Sequence, residues 1–187
     1  MRNEIEINTE KLLLRTVNNN DAPEIFDYRS DSFENRYQGW IPKTLDEVYD
    51  FIDAKISKEF NIADTWYQLV IVLKSENKLI GDIGIHFLAG DEKQVEIGCT
   101  LNKKYRKKGY AFEAMGAILN YLFYELNKHR VIASIDPRNN ASMALVERLG
   151  LRKEAHFKES IFLNGEWVDD IVYAILKREL KQIKVIN

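Results

Sequence analysis

The segment Arg106-Lys107-Lys108-Gly109-Tyr110-Ala111 joins three cationic side chains to a glycine at the start of an apolar-periodic run. A helix that begins at such a turn presents N–H groups with no carbonyl partner at the positive end of its dipole, so it can hold an anion. Glycine at 109 lets a bulky phosphate approach the main chain, where a side chain would stand in the way. These features predict a phosphate or pyrophosphate site and leave the ligand open. On charge alone, Lys103 to Lys108 also reads as a solvated basic turn. A nucleotide-triphosphate loop is a poor fit, because the paired glycines and the Lys-Ser/Thr ending are absent. The three-glycine dinucleotide fingerprint is absent as well, and Gly81-x-x-Gly84 falls inside a strand-like run.

For the turn to work, a strand must lead into it and a helix must leave it. Residues 94–101 read as the strand. From 109 onward Ala111, Met115, Ile118, Leu122 and Leu126 recur at three and four residues, which describes a long amphipathic helix. A short buried strand at 131–135 completes a strand–helix–strand unit, predicting a parallel pair with a right-handed crossover. Upstream, 12–17 reads as an opening strand closed by Asn18-Asn19-Asn20-Asp21, with Asp21 capping a helix that has Pro23 in its first turn. Thr44-Leu45-Asp46-Glu47 reads as a capping box for a helix with Val48, Phe51, Ile52 and Ile56 on one face. Residues 66–73 and 78–87, rich in β-branched and aromatic types, flank a Ser75-Glu76-Asn77 turn. Asn139 or Asn140 starts a helix over 141–149 that Gly150 stops. Asn164-Gly165 joins 155–163 to 166–176 as a hairpin. The order β-α-α-β-β-β-α-β-α-β-β predicts an α+β domain, a mixed sheet with helices on its faces.

Composition narrows the function classes. At 187 residues the chain can bury one substantial core without staples, and 45% apolar with 30% charged residues is the balance of a soluble globular protein. A formal charge of −2 gives no general pull toward nucleic acid or anionic membrane. One cysteine excludes an internal disulfide framework, and His86, His129 and His156 show no zinc spacing, so no metal is expected. No apolar run suggests a signal peptide or a membrane span, and the expected location is cytoplasmic.

The ordered set of motifs resembles the GNAT acetyltransferases. Arg106-x-x-Gly109-x-Ala111 matches that family's R/Q-x-x-G-x-G/A signature, between strand and helix as in the family. The similarity takes in Glu96-Ile97-Gly98-Cys99-Thr100-Leu101, Phe112-Glu113-Ala114, Asp136-Pro137-Arg138-Asn139-Asn140-Ala141-Ser142 and Leu145-Val146-Glu147-Arg148-Leu149-Gly150. Asn164-Gly165, Asp169, Tyr173 and the opening Leu12-Leu13-Leu14-Arg15 resemble the Rim-type branch, the ribosomal-protein N-terminal acetyltransferases. The resemblance covers residues 10–182 as one N-acetyltransferase domain, with 183–187 as a short C-terminal tail. It implies a mostly antiparallel mixed sheet, helices on both faces and a splayed central parallel strand pair.

It also implies roles. The N–H groups of Lys107, Lys108, Gly109, Tyr110 and Ala111 would bind the pyrophosphate of acetyl-CoA, with charge from Arg106 and Lys108. The strand carrying Cys99 and Leu101 would pair with the pantetheine arm, and the Cys99 N–H would hold the thioester oxygen as charge develops there. The Cys99 sulfur itself reads as a small buried apolar group. An acetyl acceptor must be a neutral amine, so a base is needed; Glu96 lies in the right strand, although a purely structural role fits it too. Many family members protonate the departing thiolate with a tyrosine where this chain has Val146. The Rim branch offers Ser142 instead, whose other reading is a helix cap. Asn139 would touch the cofactor arm or a water near it, or else act as a cap. Tyr37 and Trp40 would wall the acceptor pocket, and His156 and Asp169 are further groups that could reach the amine.

The expected function is transfer of the acetyl group of acetyl-CoA to an amine, either a protein N-terminus or a small molecule. A non-catalytic acyl-CoA sensor is the alternative, kept open by Val146. The expected partners are acetyl-CoA and the amine, with no nucleic acid or membrane, and a homodimer is left open.

Overall fold

The computed structural model describes residues 5–90 and 92–180. The chain opens with β1 (Glu6–Asn8) and β2 (Leu12–Thr16), followed by α1 (Ala22–Arg29) and α2 (Leu45–Asp50), the latter running into a π-helical turn, Phe51–Lys55. Strands β3 (Thr65–Leu73), β4 (Lys78–Phe87) and β5 (Gln94–Leu101) come next, then α3 (Tyr110–Asn120) with a second π-helical turn, Tyr121–Glu125. The chain continues through β6 (Arg130–Ile135) and α4 (Asn140–Arg148) to the hairpin of β7 (Arg152–Leu163) and β8 (Glu166–Leu176). One eight-stranded sheet runs β1-β2-β3-β4-β5-β6-β8-β7, antiparallel throughout except for the β5–β6 pair.

Alternation along β3 explains why the sheet is covered on both sides. Leu69, Ile71 and Leu73 point into the larger core, shared with Met115, Ile118 and Leu122 of the α3 region. Val70 and Val72 point the other way, onto Ile25 of α1, Val48 of α2 and Ile52 of the turn that follows α2. A strand buried on both faces loses the apolar-polar alternation and reads as a continuous run, as 69–73 does. In the last hairpin Asn164 (φ +51°) and Gly165 (φ +90°) take the left-handed conformations that the tight turn requires.

Three local expectations change. The edge strand β1 precedes residue 10 and was not expected, being three residues with two polar ones. Asp21 does not cap α1 with its side chain. Its carboxylate instead makes paired bonds of 2.8 and 2.7 Å with Arg15 and accepts the Asn18 N–H at 2.9 Å, closing a single 3-10 turn ahead of the helix. The Thr44 box is half made. Thr44 Oγ1 accepts the Glu47 N–H at 3.3 Å, but the Glu47 carboxylate reaches the Lys43 N–H rather than that of Thr44. The end of the expected domain at 181–182 and the tail at 183–187 lie outside the described residues. Among those described, no helix is long and apolar enough to cross a membrane.

The position of the site follows from β5 and β6. They pair only at Gln94↔Arg130, Val95↔Val131 and Glu96↔Ile132. Beyond Glu96, β5 stays with β4 as far as Gly81↔Leu101, and β6 stays with β8 as far as Ile135↔Ile171. The two strands therefore part, and a wedge opens in mid-sheet.

Candidate active site

A cavity of about 310 Å³ fills this wedge, and Glu96, Gly98, Cys99, Asn139, Ser142 and Val146 are among its walls. At the far end of β5 the basic turn enters α3 with Lys107 at φ +63° and Gly109 at φ +87°. Glycine takes that dihedral at little cost, and no atom lies within 4 Å of where a Cβ at 109 would sit. No side chain caps α3, and Glu113 N–H makes the first-turn bond, 3.1 Å to Gly109 O. Glu113 is itself anchored, accepting from Thr9 Oγ1 at 2.6 Å and from the Lys11 N–H at 2.7 Å. The first turn of α3 is thus held in place from the β1–β2 side while its N–H groups stay uncapped.

The Arg106 side chain is engaged within the protein. Its Nη1 pairs with Glu34 at 2.6 Å and its Nε donates to Leu101 O at 3.0 Å, so the guanidinium ties the end of β5 to the segment after α1. Lys107 and Lys108 remain as the side-chain cations of the turn, with Lys108 Nζ 5.3 Å from the Tyr105 ring centroid. The Leu101 side chain is buried, and Tyr110 and Ala111 pack at the edge of the larger core.

The middle of the wedge holds the groups that can move protons. Glu96 faces His86 across the β4–β5 register, with Nδ1 3.6 Å from Oε2, an electrostatic approach outside hydrogen-bond range. The His86 ring stacks on Trp66 at 4.7 Å. Burial raises the Glu96 carboxyl above its usual range, and His86 only partly opposes this. The folded state therefore favours the protonated form more than the unfolded chain does. Its stabilising contribution is complete below the ordinary glutamate value and is lost as pH rises through the higher folded one. Glu96→Gln is accordingly expected to be more stable than the natural chain at pH 7.5, with the difference closing toward pH 4. Thermal unfolding at both pH values checks this, and a variant less stable at pH 7.5 would refute it.

Asn139 is the N-cap of α4, its Oδ1 accepting the Ser142 N–H at 3.2 Å. Asn139 therefore caps the helix, and the Ser142 hydroxyl makes no hydrogen bond among the described residues. Val146 is buried on the same wall. The Cys99 thiol is pushed up to about 12, first by desolvation and then by the nearby Asp82 carboxylate, so at neutral pH it is no nucleophile.

A second cavity, of about 660 Å³, lies between α2 and the sheet face that carries Trp66, Gly84, Gly98 and Thr100. The two cavities share Gln38, Gly39, Trp66 and Gly98. They meet where Gly98 puts no side chain between them. Trp40 lines the second cavity and Tyr37 the first, so the two expected acceptor-pocket residues are divided between them. Asp169 reaches the rim of the first cavity, where it pairs with His156 at 2.7 Å and Lys158 at 2.8 Å. Among the described residues, no group of three or more His, Cys, Asp or Glu side chains is placed to hold a metal ion.

The family model described as Acetyltransferase (GNAT) domain matches residues 11–152. The chain belongs to the GNAT acetyltransferases. It is 38% identical over 175 residues to YnaD, an uncharacterized N-acetyltransferase of Bacillus subtilis (strain 168), covering 94% of this chain and 99% of that one. A GNAT-family acetyltransferase from Bacillus anthracis superposes with a TM-score of 0.82 at 35% identity, covering 94% of this chain and all of the other. The Rim-type likeness appears in the ribosomal protein uS5-alanine N-acetyltransferase of Escherichia coli (strain K12), 26% identical over 91% of this chain and 90% of that enzyme.

This GNAT domain also contains a buried polar cluster that sequence reasoning missed. Asp82, 1% exposed, accepts from Arg29 Nε at 2.9 Å, Arg29 Nη2 at 2.5 Å, Gln68 Nε2 at 2.5 Å and the Tyr28 hydroxyl. Arg29 reaches on to Thr100 Oγ1 at 3.1 Å, which donates to Gln38 Oε1 at 3.0 Å. The cluster ties α1 through β4 to the strand that carries Gly98. An acid inside the otherwise apolar Leu79-Ile80-Gly81-Asp82-Ile83 signals a buried partner, but not which one. His86 and Trp66 were missed as well, and the β3–β4 hairpin register, Trp66↔His86, is the signal that reaches them.

Proposed function

We propose that this GNAT domain transfers the acetyl group of acetyl-CoA to a primary amine that attacks the thioester directly. The observation that carries the reading is the mid-sheet wedge between β5 and β6, which opens onto a second cavity at Gly98, together with the uncapped helix start at Gly109 that follows β5. The residues present fit the donor. The N–H groups of Lys107 to Ala111, with Lys107 and Lys108, suit a pyrophosphate. The β5 edge beyond Glu96 has no strand beside it and suits the amide-bearing pantetheine arm, as an added strand would. Acetyl-CoA supplies an activated acyl group.

The protein orients the partners and handles protons. Glu96, whose affinity for a proton burial raises, takes one from the amine directly or through water. The Cys99 N–H holds the negative charge that develops on the carbonyl oxygen. The Ser142 hydroxyl returns a proton to the departing sulfur; its availability follows from Asn139 doing the capping. A sensor would need only the donor cradle, and the second cavity opening at the reacting centre favours turnover.

The test is thiol release from acetyl-CoA with and without a panel of primary amines. Tight binding of CoA with no amine-dependent release would replace this reading with sensing. Ser142→Ala is expected to lower kcat about 100-fold with acetyl-CoA affinity changed less than threefold. An equal loss of both would return Ser142 to a structural role.

A further inference from the structure

The second cavity carries information about the acceptor that the donor cradle does not. Its upper wall is Trp40 stacked on Phe51, with ring centroids 4.2 Å apart and planes 14° from parallel. Its floor is the Trp66 indole, lying over Gly84, where a Cβ would come within 3.1 Å of the ring. Gly84 thus leaves room for the indole, and His86 stacks on one of its faces at 4.7 Å. Trp66 stays 40% exposed, an apolar ring face left open in a cavity wall. Two carboxylates, Glu47 and Asp50, and one ammonium, Lys55, also line it, and with Arg29 neutralised by Asp82 the balance is one negative charge. The inner end opens at Gly98, beside the wedge.

Resting on the acetyl-transfer reading above, we infer that the acceptor is a small primary amine on a flat aromatic body, lying against Trp66 in the cavity that Trp40 also walls, with its amine at Gly98. Cavities of this size and lining hold small organic molecules. Flat bodies gain offset stacking against indole faces, and a cation gains from the same faces. The acidic lining attracts the ammonium form before Glu96 takes its proton. A peptide N-terminus or a polyamine would present extended backbone or methylenes where the Trp66 ring is on offer.

The experiment uses the full chain and three acceptors: 2-phenylethylamine or tryptamine, spermidine, and an alanine-headed hexapeptide. The expected result is a kcat/KM for the aryl amine at least tenfold above the other two. Quenching of tryptophan emission by 2-phenylethylamine, in the absence of acetyl-CoA, reads pocket occupancy independently of turnover. Trp40→Ala should raise KM for 2-phenylethylamine about tenfold with a smaller change in kcat. Asp50→Lys, at an exposed position of the lining, serves if the first variant unfolds and should raise KM severalfold at low salt. Preference for spermidine or the peptide, or Asp50 and indole variants with unchanged KM, overturns the inference while leaving acetyl transfer intact. No amine-dependent thiol release with any acceptor overturns the acetyl-transfer reading itself, and this one with it.

Discussion

Gly109→Asp is expected to weaken acetyl-CoA binding at least 100-fold, about 2.7 kcal/mol, while the domain stays folded. Two effects act at one atom position. The backbone at 109 has φ +87°, where an L-residue is strained by about 1–2 kcal/mol. Aspartate is among the side chains that tolerate that region best, so the strain does not unfold the protein. The larger effect is electrostatic: a carboxylate among the uncapped N–H groups of α3 takes the place of the anion and repels a pyrophosphate. Gly109→Asn separates the two, since it has nearly the same shape and backbone cost without the charge, and it should retain most of the affinity. Titration calorimetry with acetyl-CoA, alongside thermal unfolding, gives both readouts. Aspartate and asparagine variants binding equally well would show that the turn does not hold a phosphate.

Arg29→Ala is expected to cost about 3–5 kcal/mol of stability, because it leaves Asp82 charged and buried with half its partners gone. For a chain of this length that is a fall of roughly 6–20 °C in Tm. Burial alone would lower the Arg29 pKa, but the Asp82 charge and hydrogen bonds outweigh it, so the guanidinium stays ionised throughout the working range. Arg29 Nη1 also reaches Trp40 O at 3.3 Å, so the loss should loosen the upper wall of the second cavity. The double change Arg29→Met with Asp82→Leu removes both charges and should be less damaging than the sum of the single changes, as expected for two groups that compensate each other. Urea unfolding of the three variants measures the coupling. A cost under 1 kcal/mol for Arg29→Ala would mean that Asp82 finds water or another donor.

What the sequence made legible was set locally. The Gly109 turn, the three-and-four spacing of α3, and Asn164-Gly165 each depend on neighbours in the chain, and each element forms where expected. The widening of the end of α3 into a π-helical turn at Tyr121–Glu125 is not in the spacing, because one added residue per turn leaves Leu122 and Phe123 buried all the same. Asn18-Asn19-Asn20-Asp21 contains four residues able to cap, and the choice between Asn18 and Asp21 is made by Arg15, a tertiary partner. The site divides in the same way. Glu96, Asn139, Ser142 and the turn were visible as motif residues, whereas His86, Trp66 and Gln38 enter only through strand register and the path of the loop after α1. The charge of Arg106 was legible from its type, whereas its pairing with Glu34, 72 residues away, was not.

The meeting of the two cavities at a residue without a side chain has a consequence for how such a protein diversifies. On the proposed reading the donor would lie against β5, α3, β6 and α4, while the far wall of the other chamber comes from the segment between α1 and the turn after α2. Changes in one stretch of sequence can therefore remodel what is accepted while leaving untouched how the donor is held. On that reading, a kinsman's preferred amine is a poor guide to this one's.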